Sequence, residues 1–203
     1  MATLTLDTQS APATPPSGKG RMFFDSTTKK LCFVDDSGMI GGRLYHRTST
    51  ASQGAGFASD TYVTDSGLLI PSFGMKAGMV FRWWITLSKT AAGTAATVVT
   101  VRTGANQSTA DTSRLALTSS TAQTAAVAEG IIMVTAVVRS VSATGVVAGG
   151  FGVAAPVGLG GGKDVVSGTF DNTAMQGLYM GLSINGGASA AWTITTVQGE
   201  IIG

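Results

Sequence analysis

The sequence predicts an all-β protein: a jelly-roll-like antiparallel sandwich preceded by an extended N-terminal arm and a small β-hairpin module. Three observations carry this reading. Glutamate, a good helix former, occurs only at Glu129 and Glu200. Threonine and valine are plentiful and recur in short alternating runs, as half-buried strands require. The chain of 203 residues holds 28 glycines, many of them between those runs, where turns belong.

Residues 7–20, DTQSAPATPPSGKG, form the arm. Pro12, Pro15 and Pro16 forbid a helix and favour extended geometry, so the arm is either disordered or laid along a partner. Residues 21–34 read as a hairpin: Arg21-Met22-Phe23-Phe24, a polar loop over 25–30, and Leu31-Cys32-Phe33-Val34. Asp35-Asp36-Ser37-Gly38 is a second turn, and 39–45 a third strand. The small, polar stretch 48–56 is a linker. Charge marks the same boundary: residues 1–47 hold ten charged side chains and 48–203 the other fourteen. The expected division is therefore an attachment module over 1–47 and a sandwich over 57–203 that folds and trimerises without it.

Beyond the linker, strands follow at short intervals. In Val80–Ser88, Phe81, Trp83, Ile85 and Leu87 share one face, and Arg82, Trp84, Thr86 and Ser88 the other. Strands are expected over 97–102, 114–118, 131–141, 165–170, 178–184 and 191–202. The run 131–141 is apolar on both faces, as in a strand covered on two sides. Leu178, Met180, Leu182 and Ile184 mark one face of their strand. No internal repeat or heptad period is present, so no fibrous shaft is encoded.

Charge and composition exclude several function classes. Charged residues make up 12% of the chain, about half the usual ~25%. The net charge is +2, so the pI of 8.9 reflects scarcity of charge. Nucleic acid is not an expected partner, because that needs a clustered basic footprint. Mean hydropathy is high, at +0.30. Yet no apolar run approaches the ~20 residues of a membrane-spanning helix, and no targeting segment opens the chain. The surplus apolar surface, concentrated over 131–157, points to a homotrimer interface. Ile131, Met133, Val137, Val146, Val147 and Phe151 are its candidate residues.

No motif reaches catalytic or cofactor chemistry. Cys32 alternates with Leu31 and Phe33 in a strand, where a thiol behaves as a small apolar group. A nucleophilic pair with His46 is not expected. Asp35-Asp36-Ser37-Gly38 lacks the glutamate of a calcium loop. The glycine run before Lys163 is followed by Asp164 where a phosphate loop needs Ser or Thr. Trp83 and Trp84 sit mid-strand, so at least one belongs to the core. No catalytic, cofactor-binding or metal residues are assigned, and no cofactor is expected.

Residues 15–38, PPSGKGRMFFDSTTKKLCFVDDSG, resemble a short hairpin module of tailed-bacteriophage virion proteins. The remainder resembles phage jelly-roll domains in Tyr62–Pro71 and Lys89–Ala96. The resemblance implies a structural virion protein, with no catalytic residues to carry over. It is expected to be a trimeric capsid decoration (cement) or head-spike protein, made in the host cytoplasm and held on the virion. Its partner would be the major capsid protein or another virion component. The alternative it implies is a tail fibre or receptor-binding appendage that contacts a host glycan. Pro12, Pro15, Pro16, Lys19, Arg21, Phe23 and Phe24 are the expected attachment residues.

Overall fold

The computed structural model describes residues 8–10, 12–34, 40–41, 43–90, 93–154, 159–188 and 192–203. The turn at 35–38 expected from the sequence lies outside them. Among the described residues there is no helix. The strands in chain order are β1 (Thr8–Gln9), β2 (Arg21–Asp25), β3 (Leu31–Val34), β4 (Ile40–Gly41), β5 (Arg43–Ser49), β6 (Gln53–Gly56), β7 (Thr61–Tyr62) and β8 (Leu68–Leu69). They continue as β9 (Val80–Lys89), β10 (Val98–Gly104), β11 (Thr112–Thr118), β12 (Ala128–Val138), β13 (Gly145–Ala154), β14 (Lys163–Phe170), β15 (Tyr179–Asn185) and β16 (Trp192–Ile202).

These strands build a sandwich with a small third sheet beside it. One layer is seven-stranded, in the order β14-β13-β12-β9-β16-β5, with β6 also pairing β16. The other is five-stranded, β11-β10-β15-β7, with β8 also pairing β15. The small sheet is β1-β2-β3-β4. Pairing is antiparallel except between β1 and β2.

Alternation decides what fills the space between the layers. The large sheet contributes Phe81, Trp83, Ile85 and Leu87 from β9, and Ile132, Val134, Ala136 and Val138 from β12. Val99, Val101, Leu115, Leu117, Met180, Leu182 and Ile184 meet them from the five-stranded layer. Burial of these side chains is the main stabilising term. Trp83 is fully buried, and its indole N–H donates to the Ser66 carbonyl at 2.7 Å, tying one layer to a loop of the other. Gly199 stands directly opposite it on β16, where a Cβ would lie 2.7 Å from Leu68 Cδ2. A larger residue there would push on Leu68 first and crowd the tryptophan, whose Cδ1 would lie 3.1 Å away. At Gly168 of β14, a Cβ would lie 2.3 Å from the Arg114 carbonyl oxygen. That glycine lets the two layers close together at the β11–β14 edge, where Arg114 lies 4.3 Å from the Phe170 ring centroid.

Two sequence expectations are corrected. The first concerns 131–157, where a single strand, 131–141, is expected. Its described residues, 131–154, hold parts of two antiparallel strands, β12 and β13, with Val134 opposite Phe151. Glycines 145, 149, 150 and 152 lower strand propensity and hid β13.

The second concerns the boundary near residue 50. β5 is an edge strand of the large sheet, pairing β16 from Arg43 to Ser49, and Leu44 is fully buried. The expected linker is pinned as well. Ser49 Oγ donates to Asp65 at 2.7 Å, and Arg47 pairs with the same carboxylate. The Gln53 side chain brackets Thr64 with two bonds of 2.9 Å, donating to its carbonyl and accepting from its N–H. Residues 43–56 therefore belong to the sandwich, and a cut at residue 47 passes through a strand. Sequence composition marked a change in charge there, which is not a break in the hydrogen-bond ladder.

Candidate functional site

Two surfaces hold the residues singled out by sequence, and the small N-terminal sheet is the first. Its inner face is docked. Phe23, Cys32 and Val34 are buried and join the main core, and Phe23 meets Phe73 edge to face at 6.5 Å. Asp25 closes the hairpin. Its Oδ1 accepts from the Thr27 N–H at 3.0 Å, the Thr28 N–H at 2.7 Å and the Thr28 hydroxyl at 3.1 Å. Its Oδ2 accepts from the hydroxyl and N–H of Ser72 in the sandwich. A short polar side chain at a turn can cap its own backbone, and here it also bolts the hairpin to its neighbour. Replacing Asp25 with Ala leaves those donors unmatched, so a loss of about 2–4 kcal/mol is expected in urea unfolding, against about 1 for Ser72→Ala. Equal losses would show that the hairpin cap carries little.

The expected attachment residues divide accordingly. Pro15 and Phe23 are buried, Pro12 and Phe24 are half-buried, and Pro16, Lys19 and Arg21 are exposed. The arm is therefore not free along its length. β1 pairs β2, Pro15 packs inward, and the Lys19 N–H closes a turn on the Pro16 carbonyl at 3.0 Å. The outer face of the sheet carries residues the sequence reading missed. Met22 is 61% exposed, Phe33 49% and Leu31 40%. Strand parity was the available signal: with Phe23 and Cys32 inward, Met22 and Phe33 must face out.

Cys32 is fully buried, and its thiol points at the Lys30 carbonyl, 3.7 Å away. Burial pushes its pKa up from 9.0 to about 11, with the Asp25 charge adding to the shift. His46 sits on β5 with Nε2 3.3 Å from the Gln198 amide nitrogen, so the imidazole and the Cys32 thiol each have a neighbour of their own. In the native protein Cys32 should resist thiol reagents at pH 8 and react only as fast as the chain unfolds. Labelling within seconds would refute the burial. Because the folded pKa exceeds the unfolded one, the stability tied to this thiol is complete below pH 9. It should be lost as pH rises through about 11.

The second surface is the outer face of the large sheet. Ile131 (37% exposed) and Met133 (39%) lie on it, with Val137 and Val146 half-buried beside them. Val147 and Phe151 do not share it, being 0% and 5% exposed in the core. A strand's two-residue period puts Val146 and Val147 on opposite faces, so those two candidates serve the sandwich interior. Along β13 the face is floored by Ala148, Gly150 and Gly152, and Val165 walls it, 72% exposed. The depression they line has a volume of about 990 Å³, with Arg139 and Lys163 also bordering it. Trp84 is half-buried on the same face and shares a smaller hollow of about 300 Å³ with Arg82 and Met133.

The buried Lys89 and Gln123 and the half-buried Arg102 are committed to the structure of the sandwich. Lys89 is 1% exposed, and its ammonium donates to the carbonyls of Thr124, Thr90 and Ala126 at 2.8, 3.1 and 3.2 Å. Burial lowers its pKa. Gln123 accepts from the Trp192 indole at 3.0 Å and donates to the carbonyls of Ala95 and Gly186 at 3.0 and 2.6 Å. Arg102 donates to Ser183, to the carbonyls of Thr109 and Asp111, and to the Asp60 carboxylate. Among the described residues no group of three His, Cys, Asp or Glu side chains is placed to hold a metal. With no helix among them, the described residues hold none that is long and apolar enough to cross a membrane. No known protein family matches this chain, and no curated protein is similar to it.

Proposed function

We propose that this chain is a structural protein of a tailed-bacteriophage virion, a trimeric capsid decoration (cement) or head-spike protein without catalytic activity. Its sandwich would be of the jelly-roll type, and its N-terminal module would attach it to the major capsid protein or another virion component. The observation that carries the reading is the apolar patch over β12, β13 and β14 on the outer face of the large sheet, uncovered in the single chain. Ile131, Met133, Val137 and Val146 lie there beside a floor of glycine and alanine. Spacing of ~4.8 Å between six neighbouring strands and ~3.3 Å per residue gives the whole outer face, the polar Arg82, Thr86 and Ser88 of β9 included, roughly 800 Å². Stable interfaces bury about that much per partner. The resemblance of residues 15–38 to a virion hairpin module supports the location.

A tail fibre or receptor-binding appendage is the second reading. The hollow beside Trp84 and Arg82 favours it, because an aromatic face with a neighbouring cation suits a sugar ring.

Light scattering should give a mass of about 61 kDa, three times 20.4 kDa; a monomer at micromolar concentration would sink the trimer. Quantitative gels of virions purified from the encoding phage separate the locations. Hundreds of copies per particle would support decoration and a handful would support a fibre. Absence from the particle would overturn the virion reading.

A further inference from the structure

We infer that the outer face of the N-terminal sheet is a docking surface for an acidic protein surface with apolar sockets, gripped by Met22, Phe24, Leu31 and Phe33 between cations at its two ends. The inference rests on the virion reading and supplies the chemistry of its attachment site.

Register makes the array. Met22 stands opposite Phe33, and Phe24 opposite Leu31, on neighbouring strands of one hairpin. The two pairs lie side by side on the face turned away from the core. Paired apolar side chains at this exposure mark a contact site more often than chance scatter. The backing is rigid: Phe23, Cys32 and Val34 hold the other face, and Asp25 locks the turn to Ser72. A preformed platform loses little entropy on docking.

Charge selects the occupant. Lys19 and Arg21 flank one end of the array, Lys29 and Lys30 the other, and all four are exposed. Among the described residues of this sheet the sole acid is Asp25, which is buried and fully bonded; Asp7, Asp35 and Asp36 lie next to the strand ends, outside the described residues. Two copies meeting through this face would bring eight cations together, which disfavours self-association. A partner bearing carboxylates around apolar sockets satisfies both features. The array lies within the strands, with its partners set in pairs by the register, so a shaped protein surface fits better than a membrane. It covers only a few hundred Å², below the ~800 Å² per partner of a stable complex, so useful affinity needs several copies acting together. The proposed trimer supplies three.

The test is cosedimentation with particles of the encoding phage that lack this protein. We compare the wild type, the double variant Met22→Ser/Phe33→Ser, and the double variant Lys29→Glu/Lys30→Glu. These side chains are exposed, so folding should be unaffected, and an unreactive Cys32 thiol confirms it in each sample. Each double variant should bind at least ~10-fold more weakly. Raising salt from about 50 to about 500 mM should weaken the wild type and leave the charge variant nearly unchanged. Equal binding by all three proteins overturns this inference while the virion reading stands. A wild type that fails to bind overturns both. Two further results would reassign the face and so overturn the inference. One is capture of the wild type, but not the variants, by phosphatidylcholine vesicles with about 30% phosphatidylglycerol. The other is loss of the oligomer in Met22→Ser/Phe33→Ser.

Discussion

Deleting residues 1–47 is expected to yield protein that is insoluble or unfolds at a much lower temperature. The cut removes Phe23, Val34 and Leu44, each at most 3% exposed. Burying such a side chain stabilises by about 1.5–3 kcal/mol, so the three together contribute roughly 5–9 kcal/mol. It also strips most of β5 from β16, leaving the edge strand of the large sheet with unpaired N–H and C=O groups. Whole domains are stable by only about 5–15 kcal/mol, so this loss is decisive. The measurement is thermal unfolding of the soluble fraction, followed by circular dichroism. A truncated protein that melts within about 5 °C of the full chain would show that the shared core contributes little. Such a result would restore the division at residue 47 read from the sequence.

Trp83→Ala and Trp84→Ala should differ sharply although the residues are neighbours. Trp83 fills the interior against Phe81, at a ring separation of 6.3 Å, and donates to Ser66. Truncating it leaves a cavity and an unmatched carbonyl, for an expected loss of about 4–6 kcal/mol. That corresponds to a fall in Tm on the order of 10–20 °C for a chain of this size. Trp84 is half-buried on the outer face, and its replacement should cost less than about 2 kcal/mol. Urea denaturation of both variants at one protein concentration measures the contrast. Similar losses would mean that β9 does not present two distinct faces.

Much of the sandwich was legible in the sequence because strand parity is a local property. The alternation of Phe81, Trp83, Ile85 and Leu87 predicted the buried row of β9, and all four are buried. Met180, Leu182 and Ile184 were likewise assigned to one face and are fully buried. The all-β class followed from scarce glutamate and abundant glycine, valine and threonine, which act through backbone preference wherever they sit.

What the tertiary structure decided was every pairing between distant segments. β5 and β16 are separated by more than 140 residues, yet they share a ladder; hydrophobic patterning names a strand without naming its neighbour. Composition therefore placed a domain boundary at residue 47, while hydrogen bonds carried the sandwich across it. β13 was hidden because glycine reads locally as a turn. Its glycines are explained by neighbours, such as the Thr135 carbonyl oxygen 2.8 Å from where a Gly149 Cβ would stand. The same limit governed the N-terminal module. Its apolar residues were evident in sequence, but which of them dock inward depended on Asp25 meeting Ser72 and Phe23 meeting Phe73, far along the chain. Local chemistry determined the strands and their two faces; long-range packing determined which face each strand hides and which it leaves for a partner.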